Sequence, residues 1–368
     1  MKRIVGLSMT LFLVFLLMAC NSSSVDTSKK PIDNSNLKTE QVSSDSLKET
    51  IITSYLNQEI KEGKNLIYCS SFQLAWDSLK KDVLKENVML KDAPPMVDYL
   101  NKTEIGRNVS ENCRVTMAGF IGDGIVDKIN TQLKSKFKNP KLISSQYMGP
   151  DDILAYAFLY KKLEFENKFY TSDLTIKTGK DKSIVKCFGI EQSHSYRNLD
   201  HLLKQFSILD YINDDDFIIQ LHTKSEDEIY LAKINPQKTL DDTVKFVNER
   251  IKNGQTESFS SDSDSLLIPV ISFNIKHEYK ELAEKAMLNK KYPGYYIASA
   301  TQDTLFHLDE SGVELKSEAS MSVAAGIPIS IKNLVFDKPF LIFLKEKGEK
   351  TPYFAAWIAN PELMQKIN

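Results

Sequence analysis

Residues 306–343 read FHLDESGVELKSEASMSVAAGIPISIKNLVFDKPFLIF. Between residues 313 and 323 polar side chains alternate with apolar or small ones, which are Val313, Leu315, Ser317, Ala319, Met321 and Val323. This period of two predicts a β-strand with one face toward a core and one toward water. Ala324, Ala325, Gly326 and Pro328 follow and favour turns and exposure. The segment is therefore predicted to join a strand-competent stem to an exposed tip, between two apolar strands.

Three ordered landmarks in this part of the chain resemble the serpin family. The family's hinge, acidic-acidic-x-Gly-Thr-Glu-Ala, is similar to the run Asp309, Glu310, Ser311, Gly312, Val313, Glu314. Its Phe-x-x-Pro-Phe-Leu motif matches the run Phe336, Asp337, Lys338, Pro339, Phe340, Leu341. Its terminal Val-x-Asn-Pro is similar to Ala359-Asn360-Pro361. The resemblance extends over residues 47–361 with a gap near 80–150, and its specificity lies in the last third of the chain.

The resemblance implies a mixed α/β fold in one domain, residues 47–368, with a large central β-sheet, further sheets, packed helices and an exposed reactive loop. Residues 152–169, DILAYAFLYKKLEFENKF, are similar to the long central strand of the family's main sheet. Their apolar run also predicts a strand covered on both faces. Residues 217–221 and 228–234 are predicted to pair as strands. Helices are predicted at residues 47–64, around Trp76, at residues 239–252 and at residues 279–288.

The resemblance implies that the protein inhibits serine proteases, with cysteine proteases as a second target class. It would act as a suicide substrate. The protease cleaves the loop near residues 312–335 and forms an acyl-enzyme, and the freed strand inserts into the main sheet before deacylation. The hinge then consists of Glu310, Gly312, Val313 and Glu314, and Gly312 permits the backbone rotation that begins insertion. The insertable face carries no charge, so its burial leaves no charge in the sheet.

Two positions are candidates for the reactive bond. The family's spacing from Gly312 ends near Gly326-Ile327, whereas the local sequence favours Ile329-Ser330, which resembles the reactive centre of antitrypsin-type members. An apolar residue before the cut suits a protease with apolar specificity, elastase-like or subtilisin-like, rather than a trypsin-like one. Ile329-Ser330 is the predicted reactive bond.

Several positions depart from the family's pattern. Tyr156 and Gln302 stand where the family has an Asn and a His under the point of sheet opening, and Glu164 or Phe165 replaces a Trp. Leu315 is larger than the residue usual after the hinge. These departures keep a second hypothesis open, a non-inhibitory binding or adhesion lipoprotein of serpin fold on the cell surface.

The N-terminus has the pattern of a lipoprotein signal. Basic Lys2 and Arg3 precede an apolar run too short to span a bilayer as a mature helix, and Leu17-Met18-Ala19-Cys20 resembles a bacterial lipobox. Residues 1–19 are the predicted signal peptide, and acyl chains on Cys20 would anchor the protein to a membrane. Residues 20–46 are predicted to be a flexible tether because few of them are apolar. The predicted location is the bacterial cell envelope, lipid-anchored and facing the periplasm or the exterior.

Composition and motifs exclude several classes of function. The net charge is -2 and no basic run lies outside the signal, so nucleic acid is not a predicted partner. Cys69, Cys113 and Cys187 show no CxxC spacing, which leaves at most one disulfide and favours buried free thiols. The chain has no GxSxG or HExxH, and its histidines lack ligand spacing. We expect a monomer that is not an enzyme and that binds no cofactor or metal.

Overall fold

The computed structural model describes residues 32–33, 40–106, 108–177, 182–194, 197–311 and 331–367. β-Strands make up most of the regular structure in these ranges. In chain order they are β1 (Ile32–Asp33), β2 (Val42–Ser43), β3 (Thr50–Thr53), β4 (Asn65–Cys69), β5 (Arg114–Phe120), β6 (Phe137–Lys138), β7 (Ile153–Leu159), β8 (Tyr170–Ile176), β9 (Ser183–Ile190), β10 (Phe206–Asn213), β11 (Asp216–Leu221), β12 (Glu228–Lys233), β13 (Ser265–Pro269), β14 (Ile271–Glu278), β15 (Thr301–Leu308), β16 (Asn333–Val335), β17 (Phe340–Lys345) and β18 (Phe354–Ile358).

The α-helices of the described ranges are short. They are α1 (Ser71–Ser78), α2 (Pro95–Lys102), α3 (Ile125–Lys136), α4 (Asp200–Leu203) and α5 (Leu240–Asn253), and a π-helical stretch, Leu79–Leu84, continues α1. None of these helices is long and apolar enough to cross a membrane. Several sheets with few helices confirm the predicted mixed α/β class.

The largest sheet that the structure describes has seven strands in the order β10-β11-β12-β17-β18-β4-β3. Every residue of β17 and β18 is buried, because the sheet is covered on both faces at its centre. α5 covers one face through Val244 and Val247. The other face packs against the four-stranded sheet β16-β13-β9-β8 and the three-stranded sheet β15-β14-β2. The main core therefore lies between sheets.

Local sequence signals account for several of these elements. β11 and β12 form the predicted antiparallel pair, with Phe217 opposite Lys233. The predicted helix at 239–252 is confirmed as α5, whose N-cap Thr239 accepts a hydrogen bond from the backbone N–H of Asp242 at 3.1 Å. The helix predicted around Trp76 is confirmed as α1. The three described cysteines are free thiols, as predicted, with Cys113 and Cys187 buried and Cys69 half-buried.

The prediction that residues 152–169 form the central strand of the main sheet, covered on both faces, is wrong. β7 pairs with β5 in a two-stranded sheet of its own, and each of its residues is half-buried. Among the described residues its second edge has no strand partner. The apolar run predicted a strand correctly but not the sheet in which that strand lies.

Two predicted helices are also wrong. Residues 50–53 form β3, parallel to β4, because Thr50, Ile51, Ile52 and Thr53 are all β-branched and favour an extended backbone. Residues 279–288 form turns that long-range hydrogen bonds hold, such as Leu288 N–H to the carbonyl of Met89 at 2.8 Å. In both segments tertiary pairing overrides an apolar spacing that is typical of a helix.

The N-terminal predictions fall largely outside the described residues. The signal peptide and Cys20 lie beyond them. Part of the segment predicted as a tether is described, and there β2 pairs in parallel with β14 and Ser44 Oγ lies 2.8 Å from His277 Nδ1.

Candidate functional site

β7 and β15 each have one edge without a strand partner in the described ranges. β15 is hydrogen-bonded to β14, antiparallel from Ile271 opposite Leu308 to Glu278 opposite Thr301. β7 is hydrogen-bonded to β5. Within the described ranges no strand pairs with the other edge of either one. An unpaired edge presents N–H and C=O groups that can accept a further strand.

Hydrogen bonds connect the chain near β7 to the chain near β15 at both ends of the strands. Before both strands begin, Tyr295 Oη donates to the carbonyl of Asp151 at 3.0 Å. After both strands end, the N–H of Phe169 donates to the carbonyl of Glu310 at 3.1 Å. From these contacts we infer that the strands run in the same direction, and we call the space between their open edges the slot.

The floor of the slot is apolar. Helix α1 packs against β5, β7 and β15. Its Phe72 and Trp76 belong to a buried cluster that Ala155 of β7 and Ala300, just before β15, also contact. A strand that entered the slot would therefore bury the side chains that face α1.

Gln302 fixes β15 to this floor. Its side chain is 4% exposed, and its Nε2 donates to the carbonyl of Cys69 and to Ser71 Oγ, both at 2.8 Å. Its Oε1 accepts from Tyr279 Oη at 2.7 Å. Both the nitrogen and the oxygen of this buried amide are hydrogen-bonded. Gln302 therefore links β15 to the start of α1 and to Tyr279.

Tyr156 does not share this connection. Its side chain packs with Ile125, Ile129 and Leu133 of α3, on the face of β7 opposite to α1. Burial, with a smaller effect of the nearby Asp303 charge, raises its pKa to about 12. Tyr156 and Gln302, which stand in place of two polar partners of the family, therefore lie in different environments, Tyr156 against α3 and Gln302 on the side of α1.

Phe165 and Glu164, the two residues expected in place of the family's Trp, have different surroundings. Phe165 is buried in edge contact with Phe169, their ring centroids 5.1 Å apart, and it also packs near Phe188. Glu164 pairs instead with Lys162 at 2.5 Å. Phe165 and Phe188 pack around Phe169, and the N–H of Phe169 donates a hydrogen bond to the carbonyl of Glu310 at the mouth of the slot.

The chain leaves β15 through a short polar turn. Asp309 Oδ1 accepts from the N–H of Ser311 at 2.8 Å, and His307 Nε2 lies 2.7 Å from Asp309 Oδ2. The hydrogen bond to Asp309 raises the pKa of His307. Burial alone would raise the pKa of Asp309, but the hydrogen bonds from His307 and Ser311 lower it. These contacts fix the chain just before Gly312.

The chain that returns from the loop is also fixed. Buried Lys233 donates from Nζ to the carbonyl of Val335 at 2.9 Å and to Asp337 Oδ1 at 2.8 Å. Ile331, at the start of the returning segment, is 54% exposed. The described residues on either side of segment 312–330 are therefore fixed by hydrogen bonds. No sequence motif indicates this role of Lys233, because the role depends on a contact between β12 and β16, which belong to different sheets.

The predicted hinge and reactive bond are described only in part. Glu310 lies at the mouth of the slot. Gly312, Val313, Glu314, Ile329 and Ser330 lie outside the described residues. None of the described residues forms a cluster of His, Cys, Asp or Glu that could hold a metal ion. The acidic run at 214–216 forms ion pairs, among them Asp215 with Lys233 at 2.9 Å.

The chain has little similarity to known proteins. No family model matches the sequence. No curated protein matches it either. Among solved structures, thyroxine-binding globulin in complex with thyroxine, a serpin-fold protein, aligns with a TM-score of 0.40 and 12% identity. The alignment covers 65% of each chain, so the match spans less than two thirds of that protein.

Proposed function

We propose that this protein is a serpin-like inhibitor of serine or cysteine proteases that acts as a suicide substrate. The observation that supports this most is the slot between β7 and β15. The chain that follows β15 is the alternating segment 313–323, which has the strand pattern that the slot needs. Because β7 and β15 are parallel, a segment that turns back after Glu310 would run antiparallel to both.

In the proposed reaction the protease serine attacks the carbonyl carbon of Ile329, and the amine of Ser330 leaves. Residues 312–329 are then tied to the chain only through Ser311, and they enter the slot from its mouth. New backbone hydrogen bonds form along both open edges, each worth about 1 kcal/mol net. Val313, Leu315, Ala319 and Met321 would face α1 and lose their contact with water. The ester bond to the protease persists while the protease is displaced.

The alternative is a binding or adhesion lipoprotein that never inserts its loop. Both proposals use the same fold, so the fate of the protease after cleavage distinguishes them. An inhibitor keeps the protease as an ester, whereas a binding protein releases it after hydrolysis.

Incubation with an elastase-like or subtilisin-like serine protease should give a covalent complex that survives denaturing electrophoresis. Val313→Arg should be cleaved without forming the complex, because insertion would bury an unpaired charge at a cost of several kcal/mol. Glu314→Arg, on the opposite face of the same segment, is the matched control and should keep the complex. Cleavage of wild-type protein by several such proteases without any covalent complex would favour the binding lipoprotein.

We also propose that Cys20 carries the lipid anchor, on the support of the lipobox-like sequence before it. Cys20→Ala should move the protein from the membrane fraction to the soluble fraction after export and should abolish labelling with a fatty acid. Ser22→Ala, which leaves the lipobox residues intact, should remain in the membrane fraction. A Cys20→Ala protein that still partitions with membranes would contradict the anchor.

A further inference from the structure

A second concave site lies where the chain leaves β3, at the start of α2 and after β14. Its volume is about 270 Å³. The lining residues that bear on its chemistry are Ser54, Tyr55, Pro95, Met96, Tyr279 and Glu281. Tyr279 connects the cavity to Gln302 under β15, but the proposed inhibitory reaction uses none of the other five residues.

Two phenol rings in the lining are held in fixed positions. Tyr55 stacks on Tyr99 with ring centroids 4.8 Å apart and an interplanar angle of 2°. Tyr279 is 1% exposed and packs on Phe72 with ring centroids 4.3 Å apart. Rings held in this way cost little conformational entropy when a ligand binds against them.

A negative charge lies beside both rings. Glu281 forms no hydrogen bond or ion pair with the described residues, and neighbouring Lys280 pairs instead with Asp45 at 2.5 Å. Burial is the main cause of the raised pKa of Tyr55 and of Tyr279, and the charge of Glu281 adds to it in each. Glu281 is exposed, so its carboxylate is free to attract a cationic ligand that enters the cavity.

A buried hydroxyl completes the polar part of the site. Ser54 is 1% exposed, and its Oγ forms no hydrogen bond with the described residues. It lies near enough to Tyr279 to oppose the rise in the pKa of that phenol, yet outside normal hydrogen-bond geometry. A buried hydroxyl without a partner is costly unless a ligand or water supplies one.

We propose that this cavity binds an organic ammonium ion, a primary amine that carries a small aromatic or aliphatic group. Aromatic faces attract cations through their quadrupole, and a carboxylate beside them adds direct charge attraction. The Ser54 oxygen can accept one ammonium N–H. Pro95 and Met96 supply apolar surface for the body of the ligand.

Binding of 2-phenylethylamine and of its neutral analogue 2-phenylethanol to the full chain should separate charge recognition from apolar binding. Calorimetry at neutral pH should show the amine binding about tenfold more tightly than the alcohol. The ε-methyl signal of Met96 in the NMR spectrum, assigned from Met96→Leu, should shift when the amine binds. That shift would place the amine in this cavity rather than elsewhere on the protein.

Glu281→Gln should remove the preference for the amine and leave binding of the alcohol unchanged. Glu284→Gln, an exposed carboxylate in the same turn region that does not line the cavity, is the control and should keep the preference. Equal binding of the two probes by wild-type protein, or no binding of either at millimolar concentration, would overturn the proposal. That comparison needs no variant, so misfolding of Glu281→Gln cannot obscure it.

Discussion

Cleavage between Ala324 and Ser330 should raise the melting temperature by about 20 °C. If residues 312–324 fill the slot, a strand comparable to β15, which has 8 residues, gains hydrogen bonds to β7 and β15 at once. Apolar side chains are buried against α1 in the same step. The net gain is on the order of 10 kcal/mol, and each kcal/mol is worth roughly 2 °C in a domain of this size.

The measurement is a melting curve before and after limited proteolysis in the loop. Val313→Arg should show little or no rise on cleavage, whereas Glu314→Arg should rise as wild type does. The uncut forms of all three proteins should melt together, because these residues affect the inserted state. A cleaved wild-type protein that melts no higher than the uncut one would contradict insertion, whatever the protease experiments give.

Among Gly→Ala substitutions at the described glycines, Gly189→Ala should cause the largest loss of folding stability. Gly189 lies in β9 at φ +150°, opposite Leu267 of β13. A Cβ there would lie 1.8 Å from the carbonyl oxygen of Leu266 and 2.8 Å from its carbonyl carbon. These are backbone atoms of a paired central strand and cannot move without breaking the ladder. We expect a loss of about 4 kcal/mol or more.

Gly106→Ala is the matched control, since a Cβ at residue 106 has no heavy atom within 4 Å. That substitution should change stability by less than about 1 kcal/mol. Urea denaturation of both variants gives the comparison through their midpoints. If the free energy of unfolding of Gly189→Ala lies within about 1 kcal/mol of the wild-type value, as expected for the control, the prediction is wrong. β9 and β13 could then move apart without a loss of stability.

The candidate site is only partly predictable from the sequence. The alternation at 313–323 identifies a segment able to become a strand, and Asp309 and Glu310 mark where it begins. The slot itself could not be predicted, because an unpaired edge is a property of two strands and of the space between them. Only the family resemblance singles out Gln302. Its partners, the carbonyl of Cys69 and Ser71 Oγ, are more than 200 residues away in the chain.

Elements whose local pattern agrees with their burial could be predicted from the amino-acid order alone. α5 forms as predicted because its apolar period matches the face that it buries, and β11 and β12 form as predicted because their apolar residues are buried on both faces of the sheet. Tertiary contacts determine which strands pair with each other and on which face of the sheet each side chain lies. β7 has the pattern of a central strand but pairs only with β5 in the described ranges, and residues 50–53 form a strand beside β4 rather than a helix. Pairing depends on contacts between distant segments, and a local pattern carries no information about which segment arrives as the neighbour.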